Sequence, residues 1–310
     1  MTRISLIMPV HNEEEYLPKS LESLKRVEGQ FSELIFILDR CMDNSETVVK
    51  QWFPNGKIVK KQFASWKNSL AENFQLGFQV SVGDVICTMD ADVTAPNSLG
   101  RLLLELKGNV ASVAPKLITC KSVSRLNWLY YYWEKTRIFS PLGQQPRGAF
   151  RLIRRDCLKQ IGGFKDVIAQ ETQLDINFRA SGYQSIIVKD VTYYHLRKFS
   201  FRKAVRSQIL AGRMRKNMGM PFWRVLAHSL LRLRFFVVYG YVRWKKEEMS
   251  EERPSLEWKR KELERLLCDS SVVEARENCE YYEFKVRIFK RGKGGESCEE
   301  CFSEYGRRVC

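Results

Sequence analysis

The 310-residue chain is 44% hydrophobic and 28% charged, the balance of a globular protein with room for one large domain and an extension. Its formal charge of +16 is uneven: residues 196–244 hold twelve Lys and Arg and no acidic residue, so the basic character belongs mostly to one segment with its own partner to explain. Nine scattered cysteines lack the regular spacing of a disulfide-stapled secreted fold, and an apolar strand at the N-terminus reads against a secretory signal, so we expect reduced thiols and a cytoplasmic protein.

Ile4–Met8 is nearly continuous in apolar residues and is closed by Pro9, the pattern of a strand buried on both faces. Asn12-Glu13-Glu14-Glu15 follows. Pro18 then opens a helix with Leu17, Leu21 and Leu24 at helical spacing. Leu34–Leu38 is the next strand, ending in Asp39 and a polar loop that opens a helix near Glu46. Lys57–Phe63 is a weaker strand, and Ser65–Val82 is a helix ended by Gly83. Val85–Met89 is another buried strand, and it runs into Asp90-Ala91-Asp92. This alternation predicts an α/β fold with a mostly parallel, Rossmann-like sheet flanked by helices. Parallel sheets bind ligands at the carboxyl ends of their strands, and residues two apart on an extended chain point the same way. Asp90 and Asp92 therefore make a pair able to hold a hard divalent cation and, through it, a diphosphate. The competing reading is that they cap the helix after Pro96 or face water.

Beyond this pair, Ala111–Val113 is a short strand and Ser124–Phe139 an aromatic-rich helix with Trp128, Tyr130, Tyr131, Tyr132 and Trp133. Gly143–Gly148 reads as a loop, and Gly148-Ala149-Phe150 begins a strand to Ile153. Ile161-Gly162-Gly163-Phe164 is a turn, Gln170-Glu171 opens a helix, and Gln184–Val188 is a strand before Tyr193-Tyr194-His195. In the basic segment, residues 201–216 fit one amphipathic helix, with Phe201, Val205 and Ile209 opposite Arg202, Lys203, Arg206 and Arg213. Phe222–Trp244 is a second, strongly apolar run, in which Arg224, His228 and Arg232 share a helical face. Spanning a bilayer would bury charges at roughly 2.5–3.5 kcal/mol per central Arg. Lying in the interface keeps those charges on anionic lipid phosphates, so an anionic membrane surface is the expected partner. From Lys245 the chain turns to mixed charge, with a helix to about Leu267 and an amphipathic strand over Tyr282–Ile288. Cys298-Glu299-Glu300-Cys301 has the spacing of zinc ligands, with irregular cysteine partners. The expected division is a catalytic domain over 1–195, a basic helical segment over 196–244 and an extension over 245–310.

The order Ile4–Val10 then Asn12-Glu13-Glu14, Leu34–Leu38 then Asp39, and Gly83-Asp84 through Asp90-Ala91-Asp92 resembles a family 2 glycosyltransferase with the GT-A fold, over roughly residues 3–195. The resemblance implies that Pro9, Asn12 and Glu13 line a nucleotide entrance and that Asp39 contacts the base. It also implies that Asp90 and Asp92 hold Mg2+ or Mn2+ against the diphosphate of a nucleotide-sugar donor. Leu38 stands where members often have a first Asp, and Gln75 stands before Gly77 where many have Asn. The Gly-Gly-Phe turn and Gln170-Glu171 are similar to the acceptor-side signature. They make Glu171 the expected general base of an inverting transfer, a role typically worth about 10²–10⁴-fold. His195 sits where some members have a further metal ligand, and Arg147 is placed to reach the diphosphate or else is solvated. A lipid-linked or glycan acceptor follows, with the enzyme peripheral on the inner membrane face. A sugar nucleotidyltransferase lacks support, because His11-Asn12-Glu13 stands where that class has a Gly-rich loop. A basic nucleic-acid-binding protein lacks any nucleic-acid motif, so no nucleic-acid partner is expected.

Overall fold

A computed structural model describes residues 2–119, 127–136, 146, 148–167, 169–217 and 219–244, together with two short strand pieces near the C-terminus. The chain forms two compact units, residues 1–254 and 255–310. In the second, Val273–Glu274 pairs antiparallel with Arg287–Ile288. The tail helix, most of the expected tail strand and the cysteine pair of that region lie outside the described residues.

The first unit runs β1 (Ile4–Val10), α1 (Leu17–Lys25), β2 (Glu33–Asp39), α2 (Ser45–Trp52), β3 (Lys57–Lys61), α3 (Ser69–Val80), β4 (Val85–Met89) and α4 (Leu99–Glu105). It continues with β5 (Val110–Thr119), α5 (Asn127–Lys135), β6 (Phe150–Arg154), α6 (Arg155–Gln160), α7 (Gln170–Ala180) and β7 (Gln184–His195). Seven strands form one sheet in the order β3-β2-β1-β4-β6-β5-β7. All neighbours are parallel except β6, which is antiparallel to both β4 and β5. Side chains alternate through the sheet as an extended chain requires. Leu6, Met8, Phe36, Cys87 and Met89 pack on one face with Leu17, Leu21 and Leu24 of α1. Ile7, Ile35, Ile37, Ile86 and Ile153 pack on the other with Phe74 and Phe78 of α3 and Leu174 and Phe178 of α7. Both faces being covered is why β1, β2 and β4 read as continuous apolar runs rather than alternating ones.

Two expected elements change length for identifiable reasons. The helix expected from Ser65 starts at Ser69, because Asn68 caps it: its Oδ1 accepts from Ala71 N at 3.2 Å. The amides before the cap are taken by carboxylates, Ser65 N by Glu72 of the helix's own first turn and Lys67 N by the distant Asp166. The strand expected at Ala111–Val113 extends over ten residues as β5, because β7 runs parallel beside it from Gln184 to His195.

The basic segment forms α8 (Phe201–Asn217), α9 (Phe222–Leu231) and α10 (Phe235–Arg243). The run expected as one stretch over 222–244 is broken at Arg232–Arg234. Leu233 takes a left-handed φ of 51°. Its amide donates to Leu230 O at 3.1 Å, and Arg234 N donates to Ser229 O at 2.8 Å, which closes α9 in a Schellman-type cap. Glycine usually fills this position, and a side chain there costs roughly 1–2 kcal/mol. α8 and α10 cross at near backbone contact. A methyl group at Gly212 would lie 2.6 Å from Tyr241 N, and one at Gly240 would lie 2.7 Å from Ile209 Cα. Among the described residues, no helix is long and apolar enough to cross a membrane.

Candidate active site

The carboxyl ends of β1, β2 and β4 surround a cleft of about 310 Å³. Pro9, Val10, His11 and Glu13 line it after β1, Asp39 and Arg40 after β2, and Asp90, Ala91 and Asp92 after β4. Ser69, Leu70 and Asn73 of α3 and Arg197 complete the wall. The placement is the one expected for a parallel sheet where strand connections diverge to opposite sides.

At the β2 end, Asp39 is held by several donors. Its Oδ1 accepts from Arg40 Nε at 2.7 Å, and its Oδ2 accepts from Ser69 Oγ at 2.5 Å and Asn73 Nδ2 at 3.0 Å. Lys61, only 1% exposed, stands 3.5 Å from the same oxygen and 2.8 Å from Glu72. Burial works against ionising Asp39, but Arg40, Ser69, Asn73 and Lys61 outweigh it and bring its pKa down to about 2. This end of the cleft is thus a fixed anionic acceptor with guanidinium and amide donors beside it.

At the β4 end, four carboxylates converge. Asp90 is pushed well above the usual carboxylate range by burial, and further by Asp92, Glu171 and Glu13. Burial also raises Glu13, against the pull of Arg197. The cation facing them is Arg197, whose Nε donates to Asp92 Oδ2 and whose Nη2 donates to Glu13 Oε1, both at 2.5 Å. Burial alone would lower the Arg197 pKa, but Asp92 and Glu13 raise it above the ordinary arginine value. The chain reaches this point because the end of β7 pairs with the segment after Asp92. Thr94 N donates to Tyr194 O at 2.9 Å and Leu196 N to Asp92 O at 2.8 Å. His195 is brought along, with Nε2 3.6 Å from Asp92 Oδ2.

Glu171 approaches from the other side on the first turn of α7. Asp90 N donates to Ala149 O at 2.8 Å, and Thr88 Oγ1 donates to Gly148 O at 3.3 Å, so the Gly148 turn lies along the end of β4. Gly148 leaves room for Glu171: a methyl group there would sit 2.6 Å from Glu171 Cγ and closer still to its carboxyl group. One turn farther along α7, buried Asp175 pairs with the fully buried Arg151 of β6, which also donates to Ser112 Oγ and Ser185 Oγ. This pair ties the helix that carries Glu171 to the sheet. Gly162 and Gly163, at φ of 73° and 75°, make the turn before α7. Gln75 Oε1 accepts from Phe164 N at 2.9 Å and so fastens that turn to α3.

Pro9, Glu13, Asp39, Asp90 and Asp92 therefore line one cleft, with Glu171 and His195 at its β4 end. Asn12 is not among the lining residues: at φ 52° its side chain turns to accept from Met42 N at 2.7 Å and ties two loops together. Arg147 lies outside the described residues. No cluster of three or more His, Cys, Asp or Glu able to hold a metal occurs among the described residues. Two protein carboxylates nevertheless fit Mg2+ or Mn2+, which typically bind one or two carboxylates and take their remaining ligands from water and substrate phosphates. Sequence reading placed Arg197 in the basic segment and missed its place at Asp92. The available signal was its position two residues after His195 on an extended stretch. Ser69, Asn73 and Lys61 carried no such signal.

A family model described as Glycosyl transferase family 2 matches residues 5–162. A prophage bactoprenol glucosyl transferase homolog of Escherichia coli (strain K12) is 22% identical over 254 residues, which cover 77% of this chain and 76% of that protein. The bactoprenol glucosyl transferase of Shigella phage SfX is 24% identical over 51% of this chain and 54% of its own length. An undecaprenyl-phosphate 4-deoxy-4-formamido-L-arabinose transferase of Proteus mirabilis (strain HI4320) is 30% identical over 31% of each chain. Among solved structures, the mannosyltransferase PcManGT of Pyrobaculum calidifontis, in complex with GDP-Man and Mn2+, superposes with a TM-score of 0.52 at 16% identity, covering 78% of this chain and 72% of that one. Glucosyl-3-phosphoglycerate synthase of Mycobacterium tuberculosis, with Mn2+ and UDP, gives 0.51 at 16% identity over 71% and 80%. At these identities the structural likeness speaks to the fold alone.

Proposed function

The chain belongs to glycosyl transferase family 2 and has the GT-A fold, and from that premise we propose that it transfers a sugar, with inversion, from a nucleoside-diphosphate donor to a lipid-linked or glycan acceptor at a membrane surface. The observation that carries this reading is the two-ended cleft. Asp39 and its donors stand at one end, and Asp90, Asp92, Arg197 and Glu171 gather at the other.

The two ends suit the two parts of such a donor. Asp39, kept ionised by its neighbours, accepts from a base N–H, while Arg40 beside it offers a donor. Asp90 and Asp92 would hold Mg2+ or Mn2+, which when bound neutralises the charge that develops on a departing diphosphate. Arg197 adds a fixed positive charge at the same place, aimed by Asp92 and Glu13. Glu171 stands on the acceptor side. An acceptor hydroxyl has to lose its proton, and Glu171 takes it; a phosphate acceptor arrives already ionised and makes no such demand. The bactoprenol and undecaprenyl-phosphate relatives support an acceptor on a lipid carrier. A membrane surface is supported further by exposed Trp223, Leu230, Phe235 and Tyr239 in a segment that has basic residues and no acidic ones.

Mn2+-dependent binding and turnover of a panel of UDP-, GDP- and dTDP-sugars tests the reading. Asp92→Asn should lose metal-dependent nucleotide binding by calorimetry while keeping the native unfolding transition. Glu171→Gln should keep nucleotide binding and lose transfer to a hydroxyl acceptor. Absence of binding to every donor in the wild-type protein would overturn the proposal.

A further inference from the structure

Arg197 faces the carboxylates at the β4 end of the cleft, and groups besides Asp92 hold it there. Its Nη2 donates to Glu13 Oε1 at 2.5 Å, and its guanidinium lies over the Tyr16 ring, with Cζ 5.1 Å from the centroid. The backbone on either side is fixed as well. Leu196 N donates to Asp92 O at 2.8 Å, Lys198 pairs with Glu15 at 3.2 Å, and Phe199 N donates to Asn127 Oδ1 at 2.8 Å. The guanidinium therefore keeps its place at the cleft wall whether or not Asp92 stays with it.

Arg197 Nε donates to Asp92 Oδ2 at 2.5 Å, so one oxygen of a carboxylate suited to a divalent cation already has a positive partner. A cation arriving at Asp92 has to share that carboxylate with the guanidinium or take it over, and two positive charges at one carboxylate repel. A diphosphate reverses the balance. Its oxygens ligate the cation and also accept from the guanidinium, whose planar fork matches phosphate geometry, so both positive charges then face negative ones.

We propose that Arg197 competes with the divalent cation for Asp92 and thereby makes cation binding depend on the diphosphate of the donor. In this role Arg197 is a positioning residue that couples two ligands. The coupling is reciprocal: the factor that nucleotide adds to cation affinity is the factor that the cation adds to nucleotide affinity. The inference rests on the reading of Asp90 and Asp92 as cation ligands, and its first measurement uses the metal alone, so the two fail separately.

Mn2+ is titrated into the full chain, with unbound Mn2+ followed by electron paramagnetic resonance, and the binding of UDP and of GDP is measured by calorimetry with and without Mn2+. Arg197→Gln should bind Mn2+ alone roughly tenfold more tightly than the wild type, and the factor by which Mn2+ strengthens nucleotide binding should fall by a similar amount. Arg197→Lys keeps a charge for the fold but lacks the fork that spans Asp92 and Glu13, and it should gain about threefold. Lys198→Gln removes an exposed charge at the next position; it is the control and should leave Mn2+ affinity unchanged. Wild-type Mn2+ affinity in both Arg197 variants overturns the competition. An equal gain in Lys198→Gln assigns the effect to net charge and overturns it too. Mn2+ bound by none of these proteins, with or without nucleotide, instead overturns the reading of Asp90 and Asp92 as cation ligands.

Discussion

Replacing Gly148 by alanine separates the placement of Glu171 from its chemistry. Gly148 does not occupy the left-handed region, so its backbone accepts alanine. The three atoms nearest the new methyl group all belong to Glu171, with Cγ at 2.6 Å and Cδ and Oε1 closer. Carbon atoms pack comfortably at about 3.5–4.0 Å, so the Glu171 side chain must retreat by about 1 Å. A displacement of that size at a reacting group can cost about 10²-fold in rate. Stability should move the other way, because Gly→Ala at a compatible position stabilises by about 0.4–1 kcal/mol through the unfolded chain. The measurements are steady-state transfer to a hydroxyl acceptor, calorimetric binding of nucleotide with Mn2+, and urea unfolding. We expect kcat to fall about 10²-fold with nucleotide affinity unchanged and the unfolding midpoint equal or higher. A Gly148→Ala protein with wild-type kcat would show that Glu171 is not held where the reaction needs it, and the base assignment would fall with it.

Other expectations concern the frame around the site. Asp39 has its pKa lowered to about 2 from an ordinary 3.8. Its contribution is therefore full above about pH 4 and is lost as pH falls toward 2. At about 1.4 kcal/mol per unit, the margin of wild type over Asp39→Asn in urea unfolding should shrink by about 2 kcal/mol across that window, and a margin independent of pH would contradict the pairing with Lys61 and Arg40. At the α9–α10 corner, Leu233→Gly should be more stable than Leu233→Ala by about 1 kcal/mol, the reverse of the usual helix ranking, because only glycine relieves the left-handed φ. Gly240→Ala should destabilise the α8–α10 pair by about 1–3 kcal/mol, since the added methyl meets the backbone of Ile209 and no flexible side chain can give way; hydrogen exchange confined to these helices would register it.

What the amino-acid order determined by itself was whatever depends on near neighbours. Continuous apolar runs at Ile4–Met8, Leu34–Leu38 and Val85–Met89 announce strands covered on both faces, and Asp39, Asp90 and Asp92 follow directly at their ends. Leu17, Leu21 and Leu24 mark a buried helical stripe in the same way. What only the tertiary structure decided are the contacts that chain closure makes. Arg197 reaches Asp92 across 105 positions and Glu13 across 184, and no local pattern encodes a pair that distant. Lys61 meets Asp39 because β3 falls beside β2 in register, which strand propensity does not specify. The break at Leu233 was hidden for the opposite reason. No proline or glycine stands between Phe222 and Tyr239 to mark it, and the corner is held instead by contacts with α5, where Tyr132 Oη donates to Leu231 O and Arg232 Nη2 to Trp133 O.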